Sequence, residues 1–328
     1  MIRGVVPAGG VPSQRPWPHA FIEGPWLEKS LEQVGARPHV IVGERRFADQ
    51  LGPHALLVPG GESGKSPEAL AALLEALVRA GVTRQTVLIA VGGGATTDLV
   101  GLAAALVLRG IDWVAVPTTI LAAVDASLGG KTAVNLSAGK NLMGAFHQPL
   151  AAIVDRSFWT SLAPEEVVSA SAEIFKVGLL RPALLSPLMT CASAQEASAW
   201  VGEAAAVKLD VVAADPHESG LRRCLNLGHT LGHALETQGA GRLRHGEAVA
   251  IGLAAVLRLG HAKADALVAK MQQWGLPVTQ PDWAEPKGLC RLMLRDKKAT
   301  AQGLVVVVPQ SDGACELWDN FEPSRLLA

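Results

Sequence analysis

Between Asn226 and Val249 the chain reads NLGHTLGHALETQGAGRLRHGEAV, which sets His229 and His233 four residues apart and brings His245 and Glu247 after a Gly-rich break. Residues four apart share a helix face, so the first two imidazoles point into one cleft. Imidazoles from two places in the chain, joined by one carboxylate, suit Zn²⁺ or a similar divalent ion with an open coordination position. The stretch SAEIFKVG offers that carboxylate as Glu173, three residues before Lys176. The pattern lacks the base of an HExxH metalloprotease, and two helical histidines alone more often belong to a satisfied core or surface. Its weight comes from what precedes it.

Upstream, VLIAVGGGATTD places Gly92, Gly93 and Gly94 at the end of an apolar run, directly before a helical stretch. Glycines there let the backbone approach a pyrophosphate, and the helix N-terminus favours its charge. This is not the GxGxxG fingerprint, because Thr96 and Thr97 stand where that pattern wants space and glycine; a plain strand-to-helix turn fits the same letters. PGGESGK supplies Glu62 and Lys65 on a second loop at the same sheet edge, without the spacing of a Walker A motif. VPTTILAAVDASLGGKTAVNLSAGKNLMGAFHQP then gathers Thr118, Thr119, Asp125, Lys131, Lys140, Asn141 and His147 among small and apolar neighbours. Ammonium and amide donors converging on one cleft are what a phosphate or carboxylate requires.

The elements that would carry these groups alternate in type. PHVIVGE and HALLVPGGE read as strands. SPEALAALLEALVRAG reads as an amphipathic helix with Ser66 as N-cap, Pro67 in the first turn and Gly81 as stop. TVLIAVGGG is a third strand, ATTDLVGLAAALVLRG a buried helix and IDWVAVPTT a fourth strand. Strands alternating with helices indicate βαβ units and a largely parallel sheet. Beyond Phe158 the strand-like runs vanish until GLVVVVPQ, and Ala/Leu/Glu-rich helices take over. The expected architecture is an α/β nucleotide-binding domain over residues 1–157 and a mostly helical domain over 158–328. The first twenty residues, rich in Pro, are expected to be irregular.

Composition limits the function classes. Across 328 residues, 49% are hydrophobic, 18% are charged and the formal net charge is −1, so nothing global favours nucleic acid or an anionic membrane. Anion binding must come from local lysines. Cys191, Cys224, Cys290 and Cys315 are scattered, with no CxxC and no disulfide-like spacing, which fits a reducing cytoplasm. The N-terminus lacks the continuous apolar run of a signal peptide. The most apolar stretch, LVGLAAALVLRG, ends in Arg109 and is too short to span a bilayer.

VPTTILAAVDASLGGKTAVN, GKNLMGAFHQP, AEIFKVG, GLRRCLNLGHTLGHALE, RHGEAVAIG and MLRDKK, in this order, resemble the 3-dehydroquinate synthase family. These are sugar-phosphate cyclases whose fold is shared with glycerol dehydrogenases and iron-containing alcohol dehydrogenases. The resemblance runs from about residue 40 to about residue 310. It implies a lyase of the shikimate pathway that converts 3-deoxy-D-arabino-heptulosonate 7-phosphate to 3-dehydroquinate and phosphate. The implied course is transient oxidation at C5 by NAD, loss of phosphate across C6, return of the hydride, ring opening and intramolecular aldol closure. NAD ends unchanged, and Zn²⁺ or Co²⁺ acts as Lewis acid on the C5 oxygen.

Carried onto this chain, the resemblance makes Glu173, His229 and His245 the metal ligands. Lys131, Asn141, His233, Arg109 (reaching across a homodimer) and one of Lys297 and Lys298 fall around the phosphate. Lys208 and Arg222 match the carboxylate contacts, and Lys176, Asp125 and Asn226 the hydroxyl contacts. Glu218 and His233 correspond to the proton-transfer residues, with Lys176 beside them. Glu44, Glu62, Lys65, Gly92, Gly93, Gly94, Asp98, Thr118, Thr119, Lys140, Phe158 and Leu162 match the NAD site.

Two positions depart from the family pattern. Thr97 precedes Asp98 where a small residue, often glycine, is usual. The strand end that commonly carries Asp-x-Asn against the adenosine ribose reads Glu44-Arg45-Arg46, and an arginine beside a 2′-hydroxyl raises the question of NADP. A sibling cyclase acting on an amino analogue would keep metal and NAD, whereas Lys208 and Arg222 argue for a carboxylate-bearing substrate. A polyol dehydrogenase of the same fold would have no task for the lysines of GGKT and GKN.

Overall fold

The computed structural model describes the backbone of residues 2–5 and, with their side chains, residues 20–295 and 303–327. The chain divides into two compact units, Gln14–Leu162 and Ala163–Ala328 with Met1–Ser13. Strand β1 (Ile2–Val5) belongs to the second unit, so the N-terminal stretch expected to be irregular contains an ordered strand.

The Gln14–Leu162 unit is built on a six-stranded sheet in which every pairing is parallel. Its strands are β2 (Ala20–Glu23), β3 (His39–Glu44), β4 (Leu56–Val58), β5 (Val87–Gly92), β6 (Trp113–Pro117) and β9 (Ala151–Val154), in the order β2–β9–β6–β5–β3–β4. Strand β5 is buried at all of its positions, as an uninterrupted apolar run covered on both faces must be. Its alternate residues feed two clusters: Leu88 and Ala90 pack with Leu73, Leu77 and Leu99, while Val87, Ile89 and Val91 pack with Val34, Phe47 and Phe158. The Pro67–Arg79 helix begins as expected, with Ser66 Oγ accepting from Ala69 N at 3.2 Å. Strands β7 (Lys131–Leu136) and β8 (Gly139–Phe146) form an antiparallel hairpin with Lys131 opposite Phe146.

The second unit is mostly helical, with an antiparallel sheet β1–β11–β10 made from β10 (Val306–Pro309) and β11 (Ala314–Trp318) around the N-terminal strand. Its helices meet at glycines. A Cβ on Gly246 would lie 1.7 Å from Ser169 O, so only glycine lets the start of the His245–Arg258 helix press onto the Pro164–Leu179 helix. A Cβ on Gly252 would lie 1.9 Å from Gly228 O, which seats the His229–Gly239 helix against the same His245–Arg258 helix.

One expectation is overturned. Cys224, in the 3₁₀ turn Leu221–Asn226, is disulfide-bonded to Cys315 of β11, with Cα atoms 6.1 Å apart. The partners stand 91 residues apart in sequence, so the pairing is a product of the fold and has no local spacing to reveal it. Cys191 and Cys290 are free. None of the described helices is long and apolar enough to cross a membrane.

Candidate active site

The Ala163–Ala328 unit brings one carboxylate and two imidazoles together. Glu173 and Lys176 lie one turn apart on the Pro164–Leu179 helix, both buried, and form an ion pair through Glu173 Oε2. The other oxygen, Oε1, lies 3.6 Å from His229 Nε2 and 3.5 Å from His245 Nε2. His229 and His245 each open a helix, and the glycine contacts at Gly246 and Gly228 press both helix starts inward. The three ligand atoms lie within 4.8 Å of one another. One carboxylate oxygen and two neutral nitrogens make a donor set suited to Zn²⁺ or Co²⁺. Burial works against charge on His245, yet the Glu173 and Glu236 carboxylates raise its pKa to about 10. The His233 ring stands 5.2 Å from that of His229, edge-on, one turn further along the helix.

In the same unit Lys208, on the Val201–Ala214 helix, and Arg222 are buried cations. Arg222 is held by a loop organised on Asp215. That carboxylate accepts from Ser219 N and Ser219 Oγ at 2.9 Å, from Gly220 N at 2.7 Å and from Arg222 N at 3.0 Å. Burial opposes the Asp215 charge, but these donors overcome it and hold the pKa at about 2. The loop sets Glu218 in a left-handed conformation, φ 60°, from which its Oε1 accepts from Asn226 Nδ2 at 2.7 Å.

In the Gln14–Leu162 unit the glycine turn sits at the carboxyl end of β5, ahead of the Gly94–Leu106 helix. Cβ atoms at Gly92 and Gly94 would lie 2.6 Å from Thr96 and 2.9 Å from Ala126, so the turn leaves no room for side chains. Glu44, ending the adjacent β3, accepts through Oε1 from Gly93 N at 2.6 Å and Thr96 Oγ1 at 3.0 Å. Its Oε2 pairs with Arg46 Nε at 2.7 Å, and the Arg46 guanidinium lies 4.6 Å from the Phe47 ring centroid. Arg46 is thus tied to Glu44 and Phe47. Lys65 pairs with Asp98; burial pushes that carboxyl up to about 6 against the pull of the ammonium. Thr118 N donates to Gly92 O, and Thr118 Oγ1 is buried with no hydrogen-bond partner among the described residues. A buried orphan hydroxyl beside a glycine turn marks a place for a polar ligand.

The sequence profile described as 3-dehydroquinate synthase N-terminal matches residues 55–169, and that described as 3-dehydroquinate synthase C-terminal matches residues 170–299. The chain belongs to the 3-dehydroquinate synthase family. It is 41% identical over 324 residues to the 3-dehydroquinate synthase of Mycolicibacterium vanbaalenii, covering 94% of this chain and 88% of the relative. It is also 41% identical over 306 residues to a putative aminodehydroquinate synthase of Amycolatopsis mediterranei, covering 89% of this chain and 85% of the relative. Among solved structures, 2-epi-5-epi-valiolone synthase from Streptomyces hygroscopicus subsp. jinggangensis, with NAD⁺ and Zn²⁺ bound, has a TM-score of 0.81 at 24% identity over 96% of both chains. At that identity the likeness is one of fold.

The remaining family positions are distributed as follows. Lys131 opens β7, Lys140 and Asn141 open β8, and all three are exposed, with Asn141 at φ 56°. Asn135 ties this hairpin to the Glu62–Lys65 loop: its Nδ2 donates to Glu62 Oε1 at 2.6 Å and its Oδ1 accepts from Asn141 N at 2.9 Å. Asp125 lies half-buried in the turn Ala122–Ala126, and Thr119 Oγ1 caps that turn by accepting from Ala122 N at 3.1 Å. Arg109 is exposed, in a left-handed turn at φ 67° after the Gly94–Leu106 helix. Leu162 is half-buried. Phe158 lies in the 3₁₀ turn Arg156–Ser161. Its ring is buried, with the Trp26 and Phe47 ring centroids at 6.4 and 5.2 Å. Lys297 and Lys298 lie outside the described residues.

Sequence reasoning missed Glu236, Asp215 and Asn135. Glu236 stands seven residues beyond His229, two turns along the same helix face, a spacing that could have singled it out. Asp215 precedes PHESG, an Asx-turn signature. Asn135 has no such local signal.

Proposed function

We propose that this family member is a 3-dehydroquinate synthase, converting 3-deoxy-D-arabino-heptulosonate 7-phosphate to 3-dehydroquinate and phosphate. The observation that carries the reading is the pair of buried cations Lys208 and Arg222 in the unit that holds the Glu173–His229–His245 cluster. Two buried cations in one unit, Arg222 with its fork of donors, suit recognition of a substrate carboxylate. A simple polyol offers none.

When bound, NAD⁺ supplies reversible hydride acceptance from C5, and Zn²⁺ or Co²⁺ at Glu173, His229 and His245 supplies Lewis acidity toward the oxygen there. The chain's own residues bind and orient. Lys208 and Arg222 hold the carboxylate, while Lys176, Asp125 and Asn226 hold hydroxyls. Lys131, Asn141, His233 and Arg109, with Lys297 or Lys298, hold the phosphate. A ketone at C5 would acidify C6–H, and the phosphate held by Lys131, Asn141, His233 and Arg109 would lie where it could take that proton as its C–O bond breaks. Glu218 and His233 would move the protons of ring opening and aldol closure. The protein positions groups at each step and needs no strong base. Glu44, Glu62, Lys65, Gly92, Gly93, Gly94, Asp98, Thr118, Thr119, Lys140, Phe158 and Leu162 form the nucleotide site of this reading. The active form of this reading is a homodimer to which Arg109 contributes across subunits, and the cytoplasm as its place of action is supported by the family's biosynthetic role and no longer by the cysteines, since Cys224 and Cys315 pair.

A second reading, aminodehydroquinate synthase, is favoured by the 41% identity to the Amycolatopsis relative. Phosphate release measured side by side with the hydroxyl substrate and its amino analogue separates the two. A higher kcat/KM for the hydroxyl substrate supports the synthase, and the reverse order supports the second reading.

A further inference from the structure

Both imidazoles of the metal cluster are gripped at Nδ1, but by partners of different charge. His229 Nδ1 lies 3.0 Å from Leu227 O, a neutral carbonyl. His245 Nδ1 lies 3.1 Å from Glu236 Oε2, a carboxylate whose side chain is 14% exposed. In each case the partner holds the ring proton on Nδ1 and leaves Nε2 facing Glu173 Oε1, at 3.6 and 3.5 Å. Glu236 reaches this place because the helix that begins at His229 carries it two turns further on the same face. One helix thus bears one candidate ligand and the group that orients another.

We propose that Glu236 is a positioning residue for the metal: it fixes the tautomer and ring orientation of His245 and places a negative charge behind it. The proposal rests on the reading of Glu173, His229 and His245 as a metal centre. A carboxylate behind an imidazole raises the basicity of the far nitrogen more than a carbonyl does, so His245 is the stronger donor of the two. Lys176 neutralises much of the Glu173 charge, and Glu236 restores an excess of negative charge around the site. A helix-packing role alone would make Glu236 matter for stability and leave metal affinity untouched.

The test uses the full chain, stripped by chelator and titrated with Zn²⁺ against a chromogenic competitor, as wild type, Glu236→Gln, Glu236→Ala and Glu173→Ala. Glu236→Ala is expected to weaken Zn²⁺ binding roughly 10- to 100-fold. Glu236→Gln keeps an acceptor oxygen without the charge and is expected to lose less. In excess chelator Glu236→Gln should melt with the wild type, and its Co²⁺ absorption bands should shift. Should Glu236→Ala fail to fold, Glu236→Gln carries the test. Wild-type Zn²⁺ affinity and Co²⁺ spectra in the Glu236 variants, with affinity lost in Glu173→Ala, would overturn the proposal and leave the metal centre standing. Unchanged affinity in Glu173→Ala would overturn both.

Discussion

Gly246 is where helix packing and the candidate metal centre meet, and its replacement by alanine tests both. The added Cβ would lie 1.7 Å from Ser169 O and 2.5 Å from the Ser169 carbonyl carbon. These are backbone atoms of a buried helix, so no rotamer relieves the clash. Restoring a carbon–oxygen contact of about 3.3 Å requires the start of the His245–Arg258 helix to retreat by about 1.5 Å. His245 is the preceding residue, and its Nε2 lies 3.5 Å from Glu173 Oε1. Metal-ligand distances tolerate only about 0.2 Å, so the retreat removes His245 from the ligand set. Overpacking of this kind costs about 1–3 kcal/mol, which for a unit of this size lowers Tm by roughly 2–12 °C. Gly246→Ala should lose its zinc on dialysis under conditions where the wild type keeps a stoichiometric amount, and should melt lower in the presence of chelator. A variant that retains stoichiometric zinc and melts with the wild type would refute the reasoning.

Three further outcomes are expected. Asp215 has its pKa held near 2, below the ordinary 3.8, so its contribution to stability is present above that ordinary value and is lost as pH falls from about 4 to about 2. Asp215→Asn should flatten the acid limb of a stability-versus-pH curve in that window; an unchanged limb would exclude the loop account. Thr118→Val removes a buried hydroxyl that has no partner among the described residues, so it should leave the nucleotide-free melting temperature unchanged or raised while weakening NAD⁺ roughly 2- to 10-fold in calorimetry. Equal NAD⁺ affinity would remove Thr118 from the nucleotide site. Reduction of Cys224–Cys315 releases a link across 91 residues and should destabilise the chain by about 4 kcal/mol, read as a lower melting temperature in dithiothreitol. The Cys224→Ser, Cys315→Ser double variant should be indifferent to reductant, and a wild type equally indifferent would count against the bond.

Helical spacing paired His229 with His233 and donor chemistry pointed to Glu173, but it was the family resemblance that selected Glu173, His229 and His245, the three that the structure brings together. The parallel sheet was legible through β3 to β6, whose apolar runs are bounded by turn residues. AFIE and AAIV escaped because four-residue strands carry too little periodicity, and Ala weakens what there is. KTAVNL and GKNLMGAF received no strand assignment, because glycines and lysines interrupt the alternation on which the hairpin is built. The place of the Phe158 ring in the apolar cluster with Val34 and Phe47 was not legible, because it depends on elements far apart in sequence. The Cys224–Cys315 bond and the Glu236–His245 contact depend on helices and strands meeting in space, which spacing alone does not report.

The most direct test of the central claim gives the metal-loaded protein 3-deoxy-D-arabino-heptulosonate 7-phosphate with NAD⁺ below the concentration of substrate, following phosphate and absorbance at 340 nm together. Internal recycling of the hydride predicts many equivalents of phosphate per NAD⁺ and no accumulation of NADH. Steady growth at 340 nm that stops when NAD⁺ is spent, or no phosphate at all, would contradict the account.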